Sequence, residues 1–242
     1  MIKNIFESKK KKELRKKRRE FYLQFLDSGD VYFDVGANFG NRIDPIIDDG
    51  ISIVAIEPQP KCIKKLKRKF GNRITLITKG VGAKKDVMTM FLAKAHTIST
   101  FSKDFIKDTQ ESGRFSKYKW EKEIEVEVET LDNIISEYGK PTFMKIDVEG
   151  FEFEVLKGLN TPIKYISCEY TVPERKDSLL NCIDRIVEIS GEKNVVFNYS
   201  VGESMKWALE KWITPTKMKE LAVSQSFIDT DFGDIYSKTS VM

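Results

Sequence analysis

One histidine and three cysteines in 242 residues leave little material for metal clusters or thiol chemistry. Cys62, Cys168 and Cys182 are odd in number and far apart. That excludes a disulfide framework and matches no zinc-ligand spacing. A reducing cytoplasm is the expected compartment. No apolar run approaches the ~20 residues that cross a bilayer. The basic start of the chain is followed by no apolar segment and no small-residue cleavage pattern, so no secretory signal is read there. Internal repeats are absent, and so are low-complexity linkers after residue 20.

What is present is an ordinary globular composition, 40% hydrophobic and 32% charged, with enough length for a sizeable core. The charge is unevenly placed. Residues 1–20 hold ten Lys/Arg against three Glu, a surplus of seven, while the whole chain is only +4. The other 222 residues are therefore net −3. Nine of the cations lie between Lys9 and Arg19. They read as a solvated helical extension over residues 1–27, with an anionic membrane surface or a polyanion as the sharper alternatives. Phe21, Tyr22, Phe25 and Leu26 follow at helical spacing and are expected to dock its end onto a domain spanning 28–242. Lys61, Lys64, Lys65, Lys67, Arg68 and Lys69 make a second basic segment, read as a solvated helix face.

The body alternates. Val31–Val35, Ile51–Ile56 and Ile74–Thr78 are short apolar, β-branched runs, with helical patterns between them at Ile43–Asp49 and Lys61–Phe70. Strand, helix, strand, helix, strand predicts a parallel, right-handed α/β sheet. Val87–Leu92 and Ile124–Val128 are alternating runs, the second with glutamate at every other position. One face of that strand is expected to meet solvent. The polar stretch Ala93–Lys122 between them reads as a lid or an irregular insertion. Helices are expected at Leu131–Tyr138, Val155–Gly158 and Ser178–Ile189, and strands at Thr142–Asp147, Tyr165–Tyr170, Val195–Tyr199 and Asp234–Tyr236. Trp207 and Trp212 are five apart, and packing is their expected role.

Two clusters carry chemistry. The first is Asp34 to Gly40 (DVGANFG), at the carboxyl end of the first strand. Gly36 and Gly40 permit close backbone approach to a ligand. Glu57 ends the next strand, 23 residues after Asp34, where an acid in nucleotide-binding α/β folds accepts from ribose hydroxyls. The dinucleotide pattern Gly-x-Gly-x-x-Gly fits in neither register, since Asn38, Asn41 and Ile43 stand where glycines are needed. No Gly-Lys-Ser/Thr follows, which excludes a P-loop. The second cluster is Lys145 to Glu152 (KIDVEGFE). Asp147 ends a core strand and should point into the same cleft as the first loop. Asp147 and Glu149 either cap the next helix or serve the reacting centre.

These segments, with Glu57-Pro58, Val155-Leu-Lys-Gly158 and Val126–Ile135 (VEVETLDNII), resemble the FkbM family of S-adenosylmethionine-dependent methyltransferases. The resemblance runs from about Val31 to Gly158. It implies a class I methyltransferase sheet: seven mostly parallel strands, the last antiparallel, with helices on both faces. It implies S-adenosyl-L-methionine as cofactor, and methyl transfer to oxygen, often on sugars or natural products. By position, Asp34, Gly36, Ala37, Asn38 and Gly40 would hold the methionine end. Glu57 and Pro58 would take the ribose, and Gly80 and Val81 the adenine. The family tends to have a small residue such as alanine at the Gly80 position, a mild departure. Asp147 would sit near the sulfonium and the incoming hydroxyl, supported by Glu149, with Glu169 as another wall.

Asp147 is the expected base and His96 the second candidate. Asp147 and Glu149 could instead hold a divalent ion, but no further ligand set is readable and no metal is expected. The expected acceptor is a small molecule or glycan, and the enzyme is expected to be cytoplasmic or peripheral to a membrane. The alternatives are a nucleic-acid methyltransferase using the basic arm, and a non-catalytic binding protein.

Overall fold

The computed structural model describes residues 2–240, with side chains from Lys10 onward. In chain order the elements are α1 (Ile2–Tyr22), β1 (Val31–Val35), β2 (Ser52–Ile56), α2 (Pro60–Phe70), β3 (Thr75–Ile77), β4 (Gly80–Val81), β5 (Asp86–Ala93) and α3 (Lys103–Glu111). Then come β6 (Trp120–Glu129), α4 (Leu131–Tyr138), β7 (Phe143–Ile146), α5 (Glu152–Lys157), β8 (Tyr165–Thr171), α6 (Lys176–Ser190), β9 (Val195–Val201), α7 (Pro215–Ala222), α8 (Gln225–Ile228) and β10 (Phe232–Thr239).

Seven strands form one sheet in the order β3-β2-β1-β7-β8-β10-β9. The pairs from β3 to β8 are parallel, and β10 runs antiparallel to both neighbours. The expected sheet is thus present, last strand included. β1, β2 and β7 are apolar on both sides because helices cover both faces. One core joins α4, α5, α6 and α7 to one face, through Leu131, Val155, Ile183 and Met218 among others. The other buries Phe21, Tyr22, Phe25, Leu66 and Phe70 from α1, α2 and their flanks against Tyr32, Phe143 and Tyr236.

A separate three-stranded sheet, β4-β6-β5, carries the alternating segment. As expected, Val126 and Val128 face inward while Glu123, Glu125 and Glu127 are exposed.

Two expectations need correction. Ile43–Asp49 is a run of turns, not a helix. Pro45 has no amide to donate, and the chain closes i→i+3 bonds instead, from Ile46 to Ile43 and from Asp49 to Ile46. Ala93–Lys122 is not an irregular insertion. It contains a 3₁₀ turn at His96–Ile98 and α3, capped by Ser102, whose hydroxyl accepts from the Phe105 amide. Phe105 and Thr109 anchor α3, and both are buried.

The strand order reverses between β1 and β7. Chains leave the two strands in opposite directions there and open a crevice at the carboxyl ends. Register places Asp34 beside Lys145 and Val35 beside Ile146, so both sequence clusters meet at that crevice.

Candidate functional site

A cavity of about 220 Å³ fills the crevice. Every expected site residue except Gly40 lines it: Asp34, Gly36, Ala37, Asn38, Glu57, Pro58, Gly80, Val81, His96, Asp147 and Glu149, with Glu169 among them. Gly40 serves packing instead. A Cβ there would lie 2.3 Å from the Phe70 ring, against α2.

The two loops touch through Gly36. Its φ is +84°, and a Cβ would sit 1.9 Å from the Asp147 carbonyl oxygen. Only glycine lets the β1 loop pass that close to the β7 loop. Asn38 is also left-handed, with φ 50°, a conformation asparagine tolerates better than most residues. Three of the loop amides are already engaged within the protein, however. Those of Gly36 and Ala37 donate to the Ile56 carbonyl, and that of Asn38 donates to Glu57 at 2.8 Å.

Glu57 therefore builds the corner as well as lining it. Its other carboxylate oxygen accepts from the Gln59 amide at 2.7 Å. At 1% exposure, burial pushes its pKa up to about 7, against the pull of those two amides. Glu152 repeats the device in the second loop, accepting from the amides of Val148 and Gly150. Glu152 thus ties down the loop before α5, whose N-terminus has no side-chain cap, and Asp147 and Glu149 line the cavity instead of capping the helix.

Asp34 is 2% exposed. One carboxylate oxygen accepts from the Tyr32 hydroxyl at 3.1 Å; the other, Oδ2, is buried without a partner among the described residues. Burial raises this carboxyl to about 6, although Lys145 and Tyr32 oppose it. An orphaned carboxylate oxygen at a cavity wall suits an ammonium donor.

Lys145, buried behind the cavity wall, was given no role by the sequence pattern, yet it pairs directly with Asp147. Its ammonium is 1% exposed and lies 3.0 Å from Asp147 and 2.8 Å from Asp234. Burial alone would lower its pKa, but the two carboxylates outweigh that and hold it well above the usual value. A lysine inside the otherwise apolar strand FMKI was the available signal, since a buried ammonium needs a carboxylate partner. Its partner Asp234 lies 89 residues away.

Around Asp147 the carboxyls crowd. One oxygen each from Asp147, Glu149 and Glu169 lies within 4.8 Å of the others, an arrangement able to hold a divalent cation. Burial, and then the charge of Asp147, push Glu149 and Glu169 well above the ordinary carboxylate range. Glu149 is presented by a strained turn, with φ 55° there and 81° at Gly150, held by the Thr100 hydroxyl on its carbonyl.

His96 stands at the Glu57 end. Its carbonyl accepts from Gln59 and Asn38, and its ring lies 3.8 Å from that of Phe39, centroid to centroid. Nδ1 is buried with no partner among the described residues. Burial, then Lys61 and Lys65, lower its pKa. Gly80 and Val81 form an apolar wall with Met90 and Phe101, and a Cβ on Gly80 would press within 2.7 Å of the Phe101 ring.

At the far rim, Arg18 of α1 and Arg42 share Glu203, at 3.0 Å from Arg18 and in a bidentate pair with Arg42. Burial would raise the Glu203 pKa, but Arg42 and then Arg18 hold it down to about 2. Trp207 and Trp212 lie outside the cavity, packed with Phe21, Phe25 and Tyr236.

The lining is chemically compatible with S-adenosylmethionine: the unpartnered carboxylate oxygen of Asp34 would suit its ammonium, the Glu57 carboxylate its ribose hydroxyls, and the Gly80–Val81 wall its adenine.

Among solved structures, the chain is similar to the precorrin-6y C5,15-methyltransferase of Geobacter metallireducens, at 11% identity and TM-score 0.46 over 93% of this chain and 87% of that one. A TehB-like SAM-dependent methyltransferase from Corynebacterium glutamicum aligns at 9% identity and TM-score 0.48, over 93% and 88% of the two chains. Fibrillarin from Aeropyrum pernix, solved with S-adenosyl-L-methionine bound, aligns at 10% identity and TM-score 0.44, over 87% and 67%. No curated protein matches the sequence. The Methyltransferase FkbM domain matches residues 34–205, from Asp34 near the end of β1 to Met205, two residues past Glu203 at the cavity rim. With most of its length inside that match, the chain belongs to the FkbM family of S-adenosylmethionine-dependent methyltransferases.

Proposed function

We propose that the enzyme methylates a hydroxyl oxygen on a sugar, glycan or other small molecule, with Asp147 as the proton acceptor. The observation that carries this reading is Asp147 itself, at the cavity wall between Lys145 and two carboxyls of raised pKa. S-adenosylmethionine, when bound, supplies an electrophilic methyl group whose carbon–sulfur electron pair leaves with the sulfur.

The chain's own residues must then do three things. They align the acceptor with that bond, exclude water, and take the hydroxyl proton as the oxygen attacks. Lys145 steadies the Asp147 carboxylate and fixes its direction. Glu149 and Glu169, whose burial beside Asp147 favours their protonated forms, orient acceptor hydroxyls by donating to them when protonated. Proton handling, rather than cation binding, is the role assigned to the three carboxyls. His96 belongs to the cofactor end, where its neutral ring packs on Phe39.

Asp147→Asn tests the reading. Turnover should fall by about 10²–10⁴-fold, the usual contribution of a positioned base. Affinity for S-adenosylhomocysteine, measured by calorimetry, should stay within about threefold, because that ligand lacks the sulfonium charge near which Asp147 is expected to sit. An unchanged rate removes Asp147 from the mechanism. Mass spectrometry of a glycan and metabolite pool, incubated with labelled cofactor, identifies the atom methylated. Label on nitrogen or carbon overturns the oxygen assignment, label on added nucleic acid in place of the pool overturns the acceptor class, and a chelator-sensitive rate restored by magnesium overturns the proton role.

A further inference from the structure

The two basic segments are one surface. Arg15 of α1 pairs with Asp44 at 2.9 Å, and Lys69 of α2 pairs with the other oxygen of the same carboxylate at 2.8 Å. Asp48 makes a second bridge, between Arg15 and Arg73, just beyond α2. The turns at 43–49 thus act as an acidic seam that joins α1 to α2. The acids of the seam are engaged by Arg15, Arg19, Lys69 and Arg73, and the outward cations are left over. Lys10, Lys11 and Lys12 on α1, and Lys64, Lys67 and Arg68 on α2, are exposed and pair with no carboxylate among the described residues.

The surface adjoins the cavity. Arg18, on the last turns of α1, lines its rim. Lys61 and Lys65 of α2 lie over the Phe39 ring, 6.0 and 4.9 Å from its centroid, and that ring packs on His96 inside. The rest of the molecule has the opposite charge: α2 carries six cations and no acid, yet residues 21–242 sum to −3. Such a polarised molecule is oriented as well as attracted by a planar anionic surface.

We propose that the α1–α2 face docks on an anionic membrane and holds the cavity rim at headgroup level. This goes beyond the transferase reaction and does not depend on which atom is methylated. A membrane is favoured over a nucleic acid by the shape and chemistry of the face. It is formed by the outer sides of two helices rather than by a groove, and its described residues include no exposed aromatic ring for a base to stack on. Leu14, 36% exposed among the lysines, is an apolar contact suited to a headgroup layer.

Co-sedimentation of the full chain with vesicles tests it. The protein should pellet with phosphatidylcholine–phosphatidylserine vesicles and not with phosphatidylcholine alone. Binding should fall at least ~10-fold at ~0.5 M salt, where charges are screened within about 4–5 Å. Two independent variants should each lose at least ~10-fold: Lys10→Glu with Lys11→Glu and Lys12→Glu, and Lys64→Glu with Lys67→Glu and Arg68→Glu. None of these residues lines the cavity, so affinity for S-adenosylhomocysteine should be unchanged in both and certifies their fold. Wild-type protein that stays in the supernatant overturns the proposal, as do variants that pellet like wild type. Tighter binding to an oligonucleotide than to the anionic vesicles, lost in the same variants, assigns the face to nucleic acid instead.

Discussion

At the scale of single residues the site is governed by carboxyls whose burial outweighs their partners. Glu57 is the clearest case. Its pKa of about 7 lies above the ordinary glutamate value because burial exceeds the help of two amides. A carboxyl raised in the folded state stabilises most below its unfolded pKa, and that contribution is lost as pH rises through the folded one. The empty protein should therefore lose stability between about pH 4.5 and 7, which urea titrations across that range would show. Cofactor binding should run the other way, because ribose hydroxyls donate to the ionised form. Affinity for S-adenosylhomocysteine should fall by about tenfold from pH 8 to pH 6. Glu57→Gln should flatten that slope and leave a weaker one centred near pH 6, where Asp34 titrates. Calorimetry at four or five pH values decides it. An unaltered slope in the variant would take the ribose role from Glu57.

At the scale of elements, what the sequence made legible follows from what each element buries. β1, β2 and β7 were readable because a strand covered on both faces is mostly apolar, Asp34 and Lys145 being the exceptions, and β6 because one face is not. α3 was not readable, since it buries only Phe105 and Thr109 in nine residues. β4 has two residues and owes its existence to pairing with Val128 and Glu129, far along the chain. The segment 43–49 has helical periodicity in Ile43, Ile46 and Ile47, but Pro45 and three aspartates let turns win. In the site, residues at strand ends were legible and their long-range partners were not: Asp234 for Lys145 and Glu203 for Arg42 have no local signature. The contact between the two strand-end loops gives a sharp test. Gly36→Ala must displace a backbone carbonyl 1.9 Å away and should abolish S-adenosylhomocysteine binding. Gly113→Ala faces a similar φ, +88°, with nothing within 4 Å. It should cost only about 1–3 kcal/mol of stability and leave binding intact. Equal effects on binding would mean that backbone strain, not the loop contact, is what matters.

At the scale of the whole molecule, α1 is an arm only over its first part. Phe21, Tyr22, Phe25 and Leu26 are no more than 4% exposed. Phe25 stacks on Phe143 of the central strand β7, with centroids 4.6 Å apart, and on Tyr236 of β10, at 5.5 Å. The arginine pairs to Asp44, Glu203 and Asp49 are half-exposed on at least one side and contribute little by themselves. Aromatic burial therefore fixes α1 in place, and the ion pairs set its direction. Removing residues 1–14 deletes most of the lysines and none of this packing, so the melting temperature should stay within a few degrees. Phe25→Ala should cost about 3–5 kcal/mol in urea denaturation. Deleting 1–27 uncovers Tyr32, Phe143 and Tyr236 together, a loss comparable with the whole stability of a typical domain, about 5–15 kcal/mol. That protein should be insoluble or unfolded. If it melts like the full chain, the helix is an appendage and the methyltransferase core begins after it. If it fails while the shorter deletion folds, the core begins between residues 15 and 27, and the exposed lysines are carried on a helix whose other end is built into the scaffold of the cavity.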